Sequence, residues 1–165
     1  MIKTRIDDYV LKEATIDDCE LVYKFILELA EYEEMKHGVK GTIEDLKESV
    51  FKRNEAEILL AYYGDEPVGF CVFCKTFSTF LCKSYLYLDD LFIVEKYRKR
   101  GFGKELLCQL GMICKERNLE RIEWFCFGWN DPSLDFYKNA LHASFHPELD
   151  RFRWDIETIE RVMGE

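Results

Sequence analysis

The sequence predicts a mixed α/β fold on a single sheet, with all 165 residues forming one domain from 1 to 165. Three observations predict it. Apolar runs of strand length are interleaved with segments of helical period. The runs in "AEILLAYYGDEPVGFCVFCKTF" are joined by Gly64-Asp65-Glu66-Pro67, the signature of an antiparallel hairpin. "SYLYLDDLFIV" is followed by a helix and then by "RIEWFCF", the arrangement of a right-handed crossover between parallel strands.

In chain order, "DYVLKEAT" reads as a short first strand ending at Thr15, which opens a Thr-x-x-Asp capping pattern with Asp18. Leu21, Val22, Phe25, Ile26 and Leu29 then recur at helical spacing, giving an amphipathic helix to about Tyr32. A second helix starts at Thr42, three residues before Asp45. The hairpin and the third long strand follow, then a basic, glycine-bearing segment, then a helix through Leu106, Leu107, Leu110 and Ile113. "RIEWFCF" is another strand, "PSLDFYKNA" a short helix with Pro132 in its first turn, and the alternating "RFRWDI" a final strand.

Composition narrows the function. The net charge of -9 argues against nucleic acid as the main partner and mildly favours a cationic substrate. No apolar run is long enough to span a bilayer and the first residues lack the apolar core of a signal peptide, so no membrane partner and a cytoplasmic location are expected. The seven cysteines are odd in number and irregularly spaced, as free thiols in a reducing compartment are. Cys71 and Cys74 form a CxxC, but on a strand residues three apart point to opposite faces, and no second ligand pair has zinc spacing. Both are read as small core residues, and no metal is expected.

Against the acidic balance, "EKYRKRGFGKELL" gathers Lys96, Arg98, Lys99, Arg100 and Lys104 around Gly101 and Gly103. Glycines just before a helix leave backbone N–H groups free to meet an oxyanion, and the helix dipole adds partial positive charge. A dinucleotide fingerprint starting at Gly101 would need glycine at Leu106, and a P-loop built on Gly103-Lys104 would need glycine at Arg98 and a hydroxyl at Glu105. Both patterns fail. What remains is Arg98-x-x-Gly101-x-Gly103 directly after a strand.

That pattern resembles the R/Q-x-x-G-x-G/A pyrophosphate loop of the GNAT acyltransferase superfamily. The longer stretch "LYLDDLFIVEKYRKRGFGKELL", with "WNDPSLDFYK" after the next helix and strand, is similar to the diamine acetyltransferases that modify spermidine and spermine. The likeness extends back to "ELAEYEEM" and is weakest after Ala140. It implies a mostly antiparallel central sheet flanked by helices, with a splayed parallel strand pair holding acetyl-CoA as cosubstrate, and a homodimer.

The same resemblance implies site residues. Leu91, Phe92 and Ile93 would supply backbone hydrogen bonds to the pantetheine arm. Arg98, Lys99, Arg100, Gly101, Phe102, Gly103 and Lys104 would hold the pyrophosphate, mainly by backbone N–H groups. Asn130 and Ser133 would close the site beside the cofactor. Asn130 also reads as a turn residue before Pro132. Asp89 stands at the family's glutamate position and would relay the amine's proton through water or orient the substrate ammonium before the proton is lost. Its side chain is shorter than the family's. Asp90 would attract the cationic substrate, with Tyr32 and Glu33 contacting it. Tyr137 matches the tyrosine that protonates the leaving thiolate.

Two departures bear on the substrate. Thr79 and Leu81 stand where the family carries an aspartate and a tryptophan, and "FYKNALHA" lacks the basic contacts and glycine turn of the family's counterpart. The expected activity is acetyl transfer to a primary amine of a small polyamine or diamino compound, by direct attack on the thioester. A lysine-like amino acid or another small amine is the alternative substrate, and a CoA-binding module without turnover is the alternative class.

Overall fold

A computed structural model describes residues 1–163; the last two positions of the expected domain lie outside the described residues. Strands Ile2–Lys3 (β1) and Tyr9–Glu13 (β2) lead into a single 3-10 turn and helix Cys19–Tyr32 (α1). Helix Ile43–Leu46 (α2) continues as a wider turn over Lys47–Lys52. Strands Glu57–Tyr63 (β3), Glu66–Ser78 (β4) and Lys83–Ile93 (β5) follow, then helix Phe102–Glu116 (α3) and strand Ile122–Glu123 (β6). Helices Asp131–Asp135 (α4) and Ile156–Met163 (α5) close the chain. By its internal contacts the chain comprises two compact units, Met1–Phe125 and Cys126–Glu165.

Both expected capping boxes form. The Thr15 N–H donates to Asp18 Oδ2 at 2.8 Å, and the Thr42 N–H donates to Asp45 Oδ2 at 2.8 Å. Each carboxylate satisfies an amide that its helix leaves open. The hairpin turns at Gly64, whose φ of 59° lies in the left-handed region that glycine enters without penalty.

The first unit is a six-stranded sheet in the order β1-β2-β3-β4-β5-β6, antiparallel throughout except for the parallel pair β5–β6. On one face α1 lays Val22, Phe25 and Leu29 against Ile58, Leu60, Phe70 and Phe92. Phe25 and Phe70 stack with centroids 5.6 Å apart, and Phe92 meets Phe70 edge-on at 6.5 Å. Burying such a side chain contributes about 1.5–3 kcal/mol. The alternating residues Leu59, Cys71, Phe73, Leu86 and Leu88 supply the other face and are buried. There Tyr9 stacks on Phe102 of α3 at 4.1 Å.

Cys71 is buried and Cys74 half-buried on opposite sides of β4, and all seven cysteines are free thiols. Burial pushes the Cys71 thiol well above its ordinary value, so it stays protonated.

Two strand expectations need correction. β6 pairs only through Leu86↔Ile122 and Tyr87↔Glu123 and does not continue through Phe127. A bulge in β5, described below, begins just past Tyr87, and the added local twist carries β5 away from its neighbour. "RFRWDI" is not a strand. Phe152 and Trp154 are 91% and 58% exposed, and Asp155 instead caps α5, its Oδ1 accepting from the Thr158 N–H at 2.9 Å. Alternation marks a face, but only a neighbouring edge makes a strand. The two-residue β1 was not anticipated at all.

α3 is tied down at its first turn. Glu105 accepts from Arg5 Nη2 at 2.7 Å, Nε at 2.9 Å and the Arg5 N–H at 3.0 Å. Those bonds hold the Glu105 carboxyl below its ordinary 4.5. A depressed carboxylate stabilises the fold above its unfolded value and loses that contribution as pH falls through the folded one. Glu105→Gln is therefore expected to lower the thermal midpoint at pH 7 and to narrow the difference between the midpoints at pH 7 and about pH 3.5, read by circular dichroism.

Candidate active site

The segment from Val94 to Gly103 leaves β5 and opens α3. Arg98 is extended, with φ −67° and ψ 164°, while Lys99 at φ 61° and Gly101 at φ 85° adopt left-handed conformations. Alternating such residues turns successive N–H groups toward one concave side, an anion nest. Glu105 is the first residue of the helix to donate back to Gly101, so the N–H groups of Phe102 and Gly103 have no carbonyl a turn before them in α3, and no side chain caps this end. Lys99, Arg100 and Lys104 are exposed around the nest.

The other basic side chains of the segment are engaged elsewhere. Lys96 Nζ pairs with Glu66 Oε1 at 2.5 Å, and the Tyr97 hydroxyl donates to Glu66 Oε2. Arg98 turns inward: its Nε donates to the Ile93 carbonyl at 2.8 Å, and its guanidinium lies 4.2 Å from the Tyr32 ring and 5.6 Å from that of Phe92. The Arg98 side chain thus ties the loop to the end of α1, and its N–H donates to the Glu95 carbonyl at 3.0 Å, so the expected backbone contact of Arg98 to a pyrophosphate is already occupied. The contact of Arg98 with Tyr32 joins residues 66 apart in sequence, and no local pattern announces it.

β5 itself supplies an open edge. On its inner side Leu91, Phe92 and Ile93 pair with Cys71, Phe70 and Gly69. On its outer side, among the described residues, no strand flanks β5 beyond Tyr87. An extended ligand arm fits that edge as an added strand would, although the Ile93 carbonyl is already taken by Arg98. A phosphate nest at the end of an unpaired strand edge is what an adenosine-pyrophosphate-pantetheine chain requires, so these residues fit acetyl-CoA.

The acids lie on the same strand. Val72 pairs with Asp90 and Phe73 with Leu88, which leaves Asp89 without a partner on β4. Asp89 is the extra residue of a β-bulge and is exposed. Asp90 is half-buried on the α1 face, in register with Val72 and two residues from Phe92. Glu33, the residue just past α1, acts on both aspartates. Burial, then the charges of Asp89 and Glu33, push the Asp90 carboxyl up to about 7. Burial, then Asp89, raises Glu33 as well. Among the described residues neither aspartate has an ion pair.

In the second unit, Asn130 is the N-cap of α4, its Oδ1 accepting from the Ser133 N–H at 3.3 Å, and its side chain is buried. The turn role foreseen for Asn130 is therefore realised. α4 continues as a wider turn over Phe136–Ala140, which carries Tyr137 half-buried, its carbonyl accepting from the Ala143 N–H at 3.0 Å and its ring 5.4 Å from that of Phe136.

Of the residues read from the sequence, the first unit brings together two groups: the nest of residues 98–104 at the end of the 91–93 edge, and the trio Glu33, Asp89 and Asp90. Tyr32 adjoins the first group through Arg98. The bulge was missed, although two adjacent acids in an alternating strand signal it, because one of them would otherwise fall among Leu86 and Leu88 in the core.

Comparison with known proteins bears on the family and the fold. The model of the Acetyltransferase (GNAT) family matches residues 22–142. A thialysine N-epsilon-acetyltransferase of Caenorhabditis elegans is 29% identical over 160 residues, covering 96% of this chain and 99% of that protein. The L-ornithine N5-acetyltransferase NATA1 of Arabidopsis thaliana is 36% identical over 70 residues, 42% of this chain and 31% of its own length. Among solved structures, an integron cassette protein of V. cholerae superposes with a TM-score of 0.78 at 23% identity, over 96% of this chain and 99% of its own. An aminoglycoside acetyltransferase from an uncultured soil sample superposes with a TM-score of 0.77 at 18% identity, over 91% of this chain and 97% of its own. Those likenesses show the fold alone. With the family match running from the first helix through the turn that carries Tyr137, the chain belongs to the acetyltransferase (GNAT) family and is an acetyl-CoA-dependent N-acetyltransferase.

Proposed function

We propose that this enzyme acetylates a primary amine of a small diamino compound, and that a lysine-like diamino acid fits better than a long polyamine. The observation that carries the reading is the trio Glu33, Asp89 and Asp90, in which the neighbouring acids raise the proton affinity of Glu33 and Asp90 and, among the described residues, no ion pair offsets them. A substrate ammonium relieves that repulsion when it binds. A diamine brings two nitrogens, so one can stay charged against the acids while the other loses its proton and reacts.

Two observations favour the shorter substrate. Thr79 and Leu81, in the β4–β5 turn, provide neither the carboxylate nor the large aromatic ring that a long polycation would engage. The thialysine and ornithine acetyltransferases among the relatives carry diamino acids in their names.

Acetyl-CoA supplies an activated thioester, whose C–S bond breaks as the new C–N bond forms. The nest of residues 98–104 and the outer edge of Leu91, Phe92 and Ile93 would hold it, and Asn130 and Ser133 would adjoin it. A backbone N–H of the 91–93 segment would meet the developing negative oxygen. An alkylammonium with a pKa of about 10.4 is almost wholly protonated at neutral pH, so one of the paired aspartates must accept a proton. The Tyr137 hydroxyl would deliver a proton to the departing sulfur.

The test is thiol release from acetyl-CoA by the purified protein across thialysine, lysine, ornithine, putrescine, spermidine and spermine. Release is expected with several, with the highest kcat/KM among the diamino acids. A preference for spermine would overturn the substrate assignment. Tight CoA binding without release from any amine would make the chain a binding module.

A further inference from the structure

We infer that Asp90, not Asp89, is the carboxylate that accepts the proton of the attacking amine, while Asp89 and Glu33 hold the substrate's positive charge. The inference rests on the proposed amine acetylation and names the residue that performs its proton transfer.

The bulge in β5 decides between the two neighbours. Leu86 and Leu88 are buried opposite Lys75 and Phe73. In an unbroken strand Asp90 would share their face and Asp89 would take the other. Because Asp89 is inserted without a partner, parity flips after it. Asp90 then lies with Val72 and Phe92 on the α1 side, beside Glu33 at the end of α1, and Asp89 is left at the exposed crest. A side chain at the crest stays solvated. One flanked by apolar neighbours and two other acids binds a proton more tightly, which is what a general base working near neutral pH requires.

The groups around Asp90 are Glu33 from α1, Asp89 from its own strand, and the Cys74 thiol and Tyr87 phenol from the same sheet face. Burial and Asp89 raise the Cys74 thiol, so it stays neutral and adds no charge of its own. Arg98 is turned toward the Tyr32 ring and the Ile93 carbonyl, and does not contribute to holding Asp90 as a carboxylate. In the free enzyme Asp90 thus holds a proton more tightly than an ordinary carboxyl does. An ammonium seated against Glu33 and Asp89 cancels their repulsion and releases that proton, so the arriving substrate produces its own base. The reacting nitrogen attacks as the neutral amine, its ammonium proton having gone to solvent. As the C–N bond forms, the extra proton on nitrogen passes to an Asp90 oxygen, the C–S bond breaks, and the sulfur leaves as a thiol with a proton from the proposed acid Tyr137, which Asp90 and solvent then restore.

Two measurements test this on the full-length protein. The first is a carbon-13 titration of the aspartate carboxyls in the free enzyme, with Asp90→Asn identifying its resonance. Asp90 is expected to titrate near 7, and to move to lower pH in Asp89→Asn and in Glu33→Gln, since each removes a negative neighbour. The second is the pH profile of kcat/KM with the best amine of the panel, which reports groups of the free enzyme. Wild type should lose activity as pH falls below about 7. Asp90→Asn should lower kcat about a hundredfold and abolish that limb, with CoA affinity by calorimetry changed less than about twofold. Asp90→Glu should restore part of the rate and the limb. Asp89→Asn and Glu33→Gln should raise KM for the amine and shift the limb to lower pH.

A limb that survives in Asp90→Asn and vanishes in Asp89→Asn would give the proton to Asp89 and overturn the inference alone. An Asp90 resonance titrating in the ordinary carboxylate range would also overturn it. Should wild type acetylate no amine, the proposed function fails, and this inference with it.

Discussion

Gly101→Asp is expected to weaken binding of CoA and acetyl-CoA by about tenfold to about a hundredfold while leaving the fold intact. Gly101 has a φ of 85°, a conformation that most residues with a Cβ enter at a cost of about 1–2 kcal/mol. Asparagine and aspartate are the side chains that tolerate it best. The new Cβ would meet only Ile6 Cδ1, at 3.5 Å, an ordinary contact. The damage is therefore electrostatic. A carboxylate at the N-cap of α3 stands among the N–H groups of Phe102 and Gly103 and takes the place of the phosphate they would bind. Hydrogen bonds to a charged group contribute about 1.5–3 kcal/mol, which converts to the stated loss.

Gly101→Ala separates the two effects, because it carries the backbone strain without the charge. It should lower the thermal midpoint slightly and weaken CoA far less than the aspartate does. Isothermal calorimetry reads the affinity and far-ultraviolet circular dichroism the fold. Unchanged affinity in Gly101→Asp would place the diphosphate away from this nest.

What the sequence disclosed and what it concealed divide along a physical line. Features decided within a few residues were legible. Thr15 with Asp18 and Thr42 with Asp45 announce helix starts because the partners are three apart, and Gly64 announces a turn because only its own φ matters. The left-handed start of α3 belongs to this group, since Gly101 at the N-cap needs only its own φ. Features decided by a distant partner were hidden. The inward turn of Arg98 needs Tyr32 and Phe92, and the truncation of β6 depends on where β5 leads.

"RFRWDI" shows the two kinds of information in conflict. Its alternation favours a strand, while Asp155 three residues before Thr158 favours a helix start. The cap is completed by a residue two positions past the segment, and the helix forms. The Asp89 bulge is the instructive case for function, because a one-residue insertion exchanged the surroundings of two chemically identical neighbours.

Tyr137→Phe is the second large effect expected, a fall in kcat of about a hundredfold or more with CoA affinity nearly unchanged. Removing one oxygen preserves the aromatic ring and two of the contacts of Tyr137. Its carbonyl accepts from Ala143 and its ring adjoins that of Phe136, both of which phenylalanine keeps. A role in ring packing alone predicts a stable variant with near-normal turnover. A proton donor predicts a stable variant that binds CoA and the amine and turns over slowly, because the sulfur then departs as an unprotonated thiolate. The two roles also differ in how the rate depends on the leaving group. Replacing the acetyl thioester by one whose thiol is more acidic should recover much of the lost rate in Tyr137→Phe and change wild type little, since a better leaving group has less need of an acid. Wild-type kcat in the variant would leave the sulfur's proton to solvent. Equal sensitivity of both proteins to the leaving group would assign Tyr137 to packing.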